Sequence, residues 1–388
     1  MKCTRNVTDH VIWVGANDRR LNLFENLFPI PRGVSYNAYL IKDEKNALMD
    51  TVDASASEQF IENVTYALNG GKLDYLVVQH MEPDHCANIQ RILELYPETK
   101  VVGNVKTMQM ISQFFDADLE GRQVVVKEGD TLELGNHTLH FVMAPMVHWP
   151  EVMVEYEETE KILFSADGFG KFGALSAEEE WTDEARRYFI NIVGKYGVQV
   201  QTLLKKAAAL DIQTICPLHG PVLKENLGFY IGKYLTWSSY EPEEDGVLVA
   251  CASIHGNTKA AAEKMVEVLR ANGASKVVFM DLTRDDMAEA VADAFRYGKI
   301  ILAAASYDAG VFPPMEDFLH RLVHKNLQKR TFGLIENGSW APCAAKGMKG
   351  ILEGMKEVNI CENVVSIKST MKDTDVAKME ELAKEILA

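Results

Sequence analysis

No Cys-x-x-Cys pair occurs in this chain. Its six cysteines (Cys3, Cys86, Cys216, Cys251, Cys343 and Cys361) are scattered. That argues against a zinc ribbon, a disulfide framework or a fused rubredoxin-type iron centre. Reduced thiols in a cytoplasmic setting are the expectation. Basic blocks are missing too, so nothing offsets the net charge of −16 locally, and nucleic acid is not an expected partner. No apolar run approaches the ~20 residues of a membrane span. The N-terminus shows no charged-then-apolar signal pattern. A membrane is therefore not an expected partner either.

What is present is an ordinary globular composition, 47% hydrophobic and 25% charged, over 388 residues. That length favours two domains. The first half reads as two β-rich stretches with interspersed helices. Residues 36–41 and 47–52 flank a polar turn and predict a hairpin. Phe60, Ile61, Val64 and Leu68 fall at helical spacing and predict a helix over 57–68, which Gly70-Gly71 stops. Residues 124–126, 131–134 and 138–142 predict antiparallel strands. The stretch 240–246 has linker composition, which sets expected domains at 1–245 and 246–388. Beyond it, strands near 247–250, 276–280, 299–304, 331–335 and 364–367 alternate strictly with helices. Such alternation predicts a doubly wound parallel five-stranded sheet.

The densest chemistry lies in His80-Met81-Glu82-Pro83-Asp84-His85. An apolar run over 73–79 leads into it and reads as a buried strand, so these side chains sit on a loop held by rigid structure. A lone histidine or acid is usually a surface or core residue, but four potential ligands in six residues suit two metals sharing one turn. Three further candidates follow predicted strands: His148, Asp167 and His219. His10, His137 and His140 fall outside the pattern and are assigned ordinary surface or core roles.

The pattern of His80, Glu82, Asp84 and His85, then His148, Asp167 and His219, resembles the metallo-β-lactamase fold. In hydrolases of that fold the second position is normally His. Glu82 supplies an oxygen donor there, which suits iron through a redox cycle better than zinc. The resemblance then points to the flavodiiron proteins. It implies an N-terminal metallo-β-lactamase-like αββα sandwich. One iron ion takes His80, Glu82 and His148; the other takes Asp84, His85 and His219; Asp167 bridges them.

In the second half, Ser253-Ile254-His255-Gly256-Asn257-Thr258 follows the first strand and opens its helix. Backbone N–H and hydroxyl groups at a helix N-terminus cradle a phosphate, although the same residues also serve as ordinary helix caps. This stretch resembles the phosphate loop of flavodoxin. Two more loops fall where flavodoxin holds its flavin ring: Ser306-Tyr307-Asp308-Ala309-Gly310 and Asn337-Gly338-Ser339-Trp340-Ala341. Tyr307 and Trp340 are the candidates to stack on that ring. A single phosphate loop with no Gly-x-Gly-x-x-Gly favours FMN over FAD or NAD.

The resemblance covers both halves. It implies reduction of O2 to water, of NO to N2O, or both, with electrons passing from a rubredoxin-like donor through FMN to the irons. It also implies a head-to-tail homodimer or a dimer of dimers. The competing expectation is a metallo-β-lactamase-type hydrolase with a fused flavodoxin domain, in which metal-bound hydroxide is the nucleophile.

Overall fold

The computed structural model describes residues 2–388. The chain divides into two compact units. One comprises Met1–Phe189 with Val198–Leu235, the other Ile190–Gly197 with Thr236–Ala388.

The first unit is built on two sheets. The larger is seven-stranded, in the order Arg5–Asn6, Val11–Trp13, Tyr39–Ile41, Ala47–Met49, Tyr75–Val77, Lys100–Gly103 and Gln123–Val125. The smaller is five-stranded: Thr131–Glu133, Thr138–Met143, Met153–Glu157, Ile162–Phe164 and Thr214–Cys216. Register explains why both faces of the larger sheet are apolar. Leu40, Leu48, Leu76 and Val101 align across four strands on one face, and all are fully buried. Tyr39, Met49, Val77 and Val102 align on the other face and join the core shared with Phe141, Phe164 and Cys216 of the smaller sheet. Each such buried side chain contributes about 1.5–3 kcal/mol of burial. A strand apolar on both faces needs cover on both, which is the physical basis of the layered sandwich.

Helix Ser57–Leu68 has the bounds its periodicity predicts. It stops because Asn69 and Gly70 both adopt left-handed conformations, φ 48° and 80°. One strand expectation is corrected. Gln123–Val125 does not pair with Thr131–Glu133; it runs parallel to Lys100–Gly103 at the edge of the larger sheet. The polar turn after it carries the chain from one sheet to the other, a distinction that local sequence does not encode.

The second unit carries the parallel sheet, in the order Val277–Asp281, Glu244–Ala252, Tyr297–Tyr307, Arg330–Asn337 and Val358–Ile367. Helices Asn257–Ala271 and Asp373–Leu387 bury Ala261, Met265, Leu269, Met379, Leu382 and Ile386 on one face, against Val249, Ile301, Ile335 and Val365. Three differences from expectation are local. Glu244, inside the expected linker, already begins the first strand. The last strand starts at Val358, so the preceding helix ends at Leu352. A sixth, two-residue strand, Gly310–Val311, folds back antiparallel on Tyr297–Tyr307. In the order 2-1-3-4-5, connections leave the first and third strands in opposite directions, which opens a crevice at the carboxyl ends of those two strands.

Candidate metal centre and cofactor cleft

The metal-ligand candidates of the first unit all sit on loops after strands. Tyr75–Val77 feeds His80 to His85, Ile162–Phe164 feeds Asp167, and Thr214–Cys216 feeds His219. Pro83 opens a single helical turn, Pro83–Cys86, with extended Glu82 as its N-cap. His80 and Glu82 therefore precede the turn while Asp84 and His85 lie on it, so one short segment points donors in two directions. Thr51 fixes the turn: its N–H and Oγ1 donate to the His85 carbonyl at 2.9 and 2.7 Å. Asp50 Oδ1 accepts the Gln79 N–H at 2.9 Å, which anchors the strand end.

The loops adopt unusual backbone. Asp50, Met146 and Ala166 are non-glycine residues with φ of 57°, 66° and 49°. Left-handed backbone at such residues costs energy and persists where surrounding structure enforces it, commonly at functional sites. Here the reversal at Ala166 comes just before Asp167.

Two groups of donors result. His80, Glu82, His148 and Asp167 form one; Asp84, His85 and His219 form the other. His80 Nε2 lies 3.3 Å from His148 Nε2, and His85 Nε2 lies 3.1 Å from His219 Nε2. Asp167 faces both groups. Its Oδ2 is 3.0 Å from His148 Nε2, and its Oδ1 is 3.2 Å from His85 Nε2. Asp84 Oδ2 approaches His85 and His219 at 3.4 and 3.3 Å. All seven sequence candidates thus converge.

The outer ring nitrogens set the tautomers. His80 Nδ1–H donates to Glu151 Oε1 at 2.8 Å, and His219 Nδ1–H donates to the Ser35 carbonyl at 2.7 Å. Each leaves Nε2 directed into the cluster, the arrangement found around metal-bound imidazoles. Aromatic rings of Phe24, Tyr36 and Tyr188 surround His219, and Trp149 stands edge-on to His80 at 5.2 Å.

Electrostatics follow from burial of opposite charges. Burial disfavours charge on Glu82 and Asp167, yet the imidazoles outweigh it. His148 and His80 hold Glu82 well below the usual carboxylate range, and His148 and His85 do the same for Asp167. In return, and against its own burial, His148 is pushed up to about 9 by Asp167 and Glu82. Both oxygens of Asp84 and Oδ1 of Asp167 are buried without a hydrogen-bond partner. Buried acceptors aimed at one another's imidazoles, with none of their own satisfied, fit a pair of cations between them.

Sequence reading passed over Glu151, Asp50, Ser35 and Glu25. Glu151 lies only three residues beyond His148, and that adjacency was the one available signal. Glu25 lies in the turn of the Leu23–Phe24 and Phe28–Pro29 hairpin. Its carboxyl is pushed up to about 7 by burial and then by the Glu82 charge beside it.

The second unit holds a cavity of about 650 Å³ at the switch point of its sheet. Of the residues expected there, Ser253, Ile254, His255, Asn257 and Thr258 line it from the first loop. Ser306, Tyr307, Asp308 and Ala309 line it from the second, and Asn337, Gly338, Ser339, Trp340 and Ala341 from the third. Gly256 and Gly310 do not line it. Gly256 shapes the first loop instead, with φ 93° and its N–H donating to Ser253 Oγ at 3.0 Å. Cys343 and Ser369 line the cavity without having been expected. Ser306 Oγ accepts the N–H groups of Cys343 and Ala344 at 2.8 and 3.2 Å, tying the second loop to the segment after the third. Trp340 is 90% exposed. An indole so exposed at the rim of a cavity offers an aromatic face. The helix Asn257–Ala271 starts at this cavity, so its unpaired N–H groups offer an anion site.

Comparisons with known proteins agree with this geometry. Residues 34–220 match the family model described as ODP family beta lactamase. The nitric oxide reductase of Moorella thermoacetica is 28% identical over 395 residues, covering 98% of each chain. The solved rubredoxin oxygen:oxidoreductase of Desulfovibrio gigas is 26% identical with a TM-score of 0.92, covering 99% of this chain and 98% of the other. The flavodiiron protein of Giardia intestinalis superposes with a TM-score of 0.90 at 22% identity, covering 100% and 97%. Among the described residues, no helix is long and apolar enough to cross a membrane. A metallo-β-lactamase-like sandwich with two facing donor groups, followed in the same chain by a flavodoxin-like sheet with an open cleft, is the architecture this chain shares along its whole length with the flavodiiron proteins it resembles.

Proposed function

We infer that this protein is a flavodiiron oxidoreductase that reduces O2 to water, NO to N2O, or both. The observation that carries the reading is the bifacial Asp167, whose two oxygens each meet a different imidazole group. His80, Glu82 and His148 would hold one iron and Asp84, His85 and His219 the other, with Asp167 shared. The irons would supply electrons to the bound gas.

The chain's own residues define the rest. Glu151 and the Ser35 carbonyl hold protons on the outer nitrogens of His80 and His219, keeping the inner nitrogens available as donors. The aromatic rings around His219 and Trp149 beside His80 exclude bulk water from a site meant for a small apolar gas. FMN would occupy the cleft of the second unit. Its phosphate would lie at the N-terminus of helix Asn257–Ala271, and Tyr307 or Trp340 would lie against the ring. Electrons would enter from a rubredoxin-like donor. A head-to-tail homodimer would set one chain's flavin against its partner's irons. We place the protein in the cytoplasm, consistent with its free cysteines.

Glu82 weighs against the hydrolase expectation, since its oxygen donor stands where the zinc hydrolases use imidazole, and the named relatives are reductases. Elemental and flavin analysis of the purified protein tests the reading. Two irons and one FMN per chain are expected. Stoichiometric zinc in iron-sufficient medium, with no flavin, would refute it.

A further inference from the structure

Among the described residues outside the paired cluster, one more set of ligand-type side chains converges: His10, His137 and Glu160, with donor atoms within 4.8 Å of one another. They come from three turns at the opposite end of the sandwich unit. Strand Ile162–Phe164 begins just after Glu160 and ends just before Asp167, so the two clusters cap opposite ends of the same strand.

An ordinary ion pair accounts for two of the three. His10 Nδ1 lies 3.1 Å from Glu160 Oε1, and Thr8 Oγ1 donates to Glu160 Oε2 at 2.6 Å. It does not account for His137, which is 2% exposed. The His137 backbone N–H and Nδ1–H both donate to Asp43 Oδ2, at 2.7 and 2.8 Å. Asp43 is itself fixed by the Asn136 amide at 2.9 Å and the Glu44 N–H at 2.8 Å. Burial opposes its charge, but these bonds outweigh burial and hold the carboxyl well below its usual range. His137 Nε2 therefore carries the lone pair. It is buried and has no hydrogen-bond partner.

That lone pair faces Glu160 Oε2 at 4.0 Å and the His10 ring at a centroid distance of 4.8 Å. The first spacing is too long for a hydrogen bond. It suits two ligands on one ion, since metal–ligand bonds of about 2.0–2.2 Å leave ligand atoms roughly 3–4 Å apart. The His10 side chain is 53% exposed and free to close the remaining gap. A carboxylate holding a buried imidazole in the metal-binding tautomer is the outer-shell arrangement of zinc sites. Two imidazoles and one carboxylate favour zinc or a similar first-row ion over magnesium or calcium.

We propose that His10, His137 and Glu160 bind a zinc-class divalent cation at a third metal position, with Asp43 positioning His137. This revises the ordinary roles that sequence reading assigned to His10 and His137. The ion would clasp the turn at Thr8–His10 to the turns that carry His137 and Glu160. The proposal does not depend on the identity of the metals or the reaction at the paired cluster.

The test uses the full chain loaded with iron and FMN. Zinc chloride is titrated in, unbound metal is removed by gel filtration, and zinc and iron are counted together. One zinc per chain is expected with iron unchanged, together with a rise in Tm. His10→Ala and Glu160→Gln should each weaken zinc binding at least tenfold, and Asp43→Asn should do so by 10–100-fold. His137→Ala should abolish it. Zinc that enters only by displacing iron, no retained zinc, or equal zinc affinity in wild type and His10→Ala would each overturn the proposal. His10 and Glu160 lie on surface turns, so those variants decide the matter even where His137→Ala fails to fold.

Discussion

Replacing Glu151 with Gln isolates the part of the metal centre that never touches metal. Glu151 is fully buried, and one oxygen accepts both His80 Nδ1–H and the Met81 N–H, each at 2.8 Å. Glu151→Gln keeps an acceptor of the same size but removes the charge that orients His80 and raises its basicity. It also leaves a buried amide where Oε2 already lacks a partner. Loss of such an outer-shell carboxylate costs about 10–100-fold in metal affinity. At about 1.4 kcal/mol per decade this is roughly 1.4–2.8 kcal/mol. The assay is iron retained per chain against increasing chelator, with FMN content measured on the same samples. The variant's retention curve should shift to 10–100-fold lower chelator while FMN stays stoichiometric. A curve that overlays wild type would refute the claim that Glu151 holds His80 as a ligand. A parallel loss of FMN would point to general unfolding instead.

Asn37 ties the His219 loop in place by donating to the carbonyls of Pro217 and Gly220 at 2.7 and 2.8 Å. Tyr39 also donates to the Pro217 carbonyl, so Asn37→Ala strands the Gly220 carbonyl and the Trp13 indole N–H, which donates to Asn37 Oδ1 at 2.8 Å. That should cost about 1–3 kcal/mol in a denaturant titration; an unchanged midpoint would count against it. Trp340→Ala should weaken FMN binding by about tenfold, the worth of one stacked aromatic, in a flavin-fluorescence titration; an unchanged Kd would remove Trp340 from the cleft's working surface. Glu179 pairs with buried Lys171 at 2.6 Å and also with Arg32. Burial opposes its charge, but these cations hold the carboxyl below its usual 4.5. A depressed folded value gives stability that is present above pH 4.5 and lost as pH falls through the folded value. Solvent screening at the exposed Arg32 limits the gain, so Glu179→Gln should destabilise by about 1–2 kcal/mol at pH 7, with the difference from wild type shrinking below pH 4.5; a constant difference across that range would contradict the pairing.

The parts of the fold that sequence made legible are those in which one periodicity runs long enough. Helix Ser57–Leu68 repeats its apolar face over three turns and ends at a glycine pair, and its bounds emerged unchanged. The strands before residue 36 are two or three residues long, too short for alternation to register. Helix Leu227–Ser238 carries Phe229, Tyr230, Tyr234, Leu235 and Trp237 on several sides and offers no clean stripe. The metal ligands were legible because ligand types cluster in sequence at strand ends. Their supporting groups were not. Glu151 meets His80 across 71 residues and Asp43 meets His137 across 94, and only the folded sheets bring those pairs together. The edge strand Gln123–Val125 was misassigned for the same reason, because local pattern does not say which sheet a strand joins.

The central claim is redox chemistry at the paired cluster, and one measurement addresses it most directly. The iron- and FMN-loaded protein is reduced anaerobically, then mixed separately with O2 and with NO in a stopped-flow cell while the flavin is monitored. Flavin reoxidation with consumption of at least one gas is expected, and loss of that turnover in Glu82→His with FMN still bound. Flavin that stays reduced in both gases, or a Glu82→His variant that turns over like wild type, would contradict it.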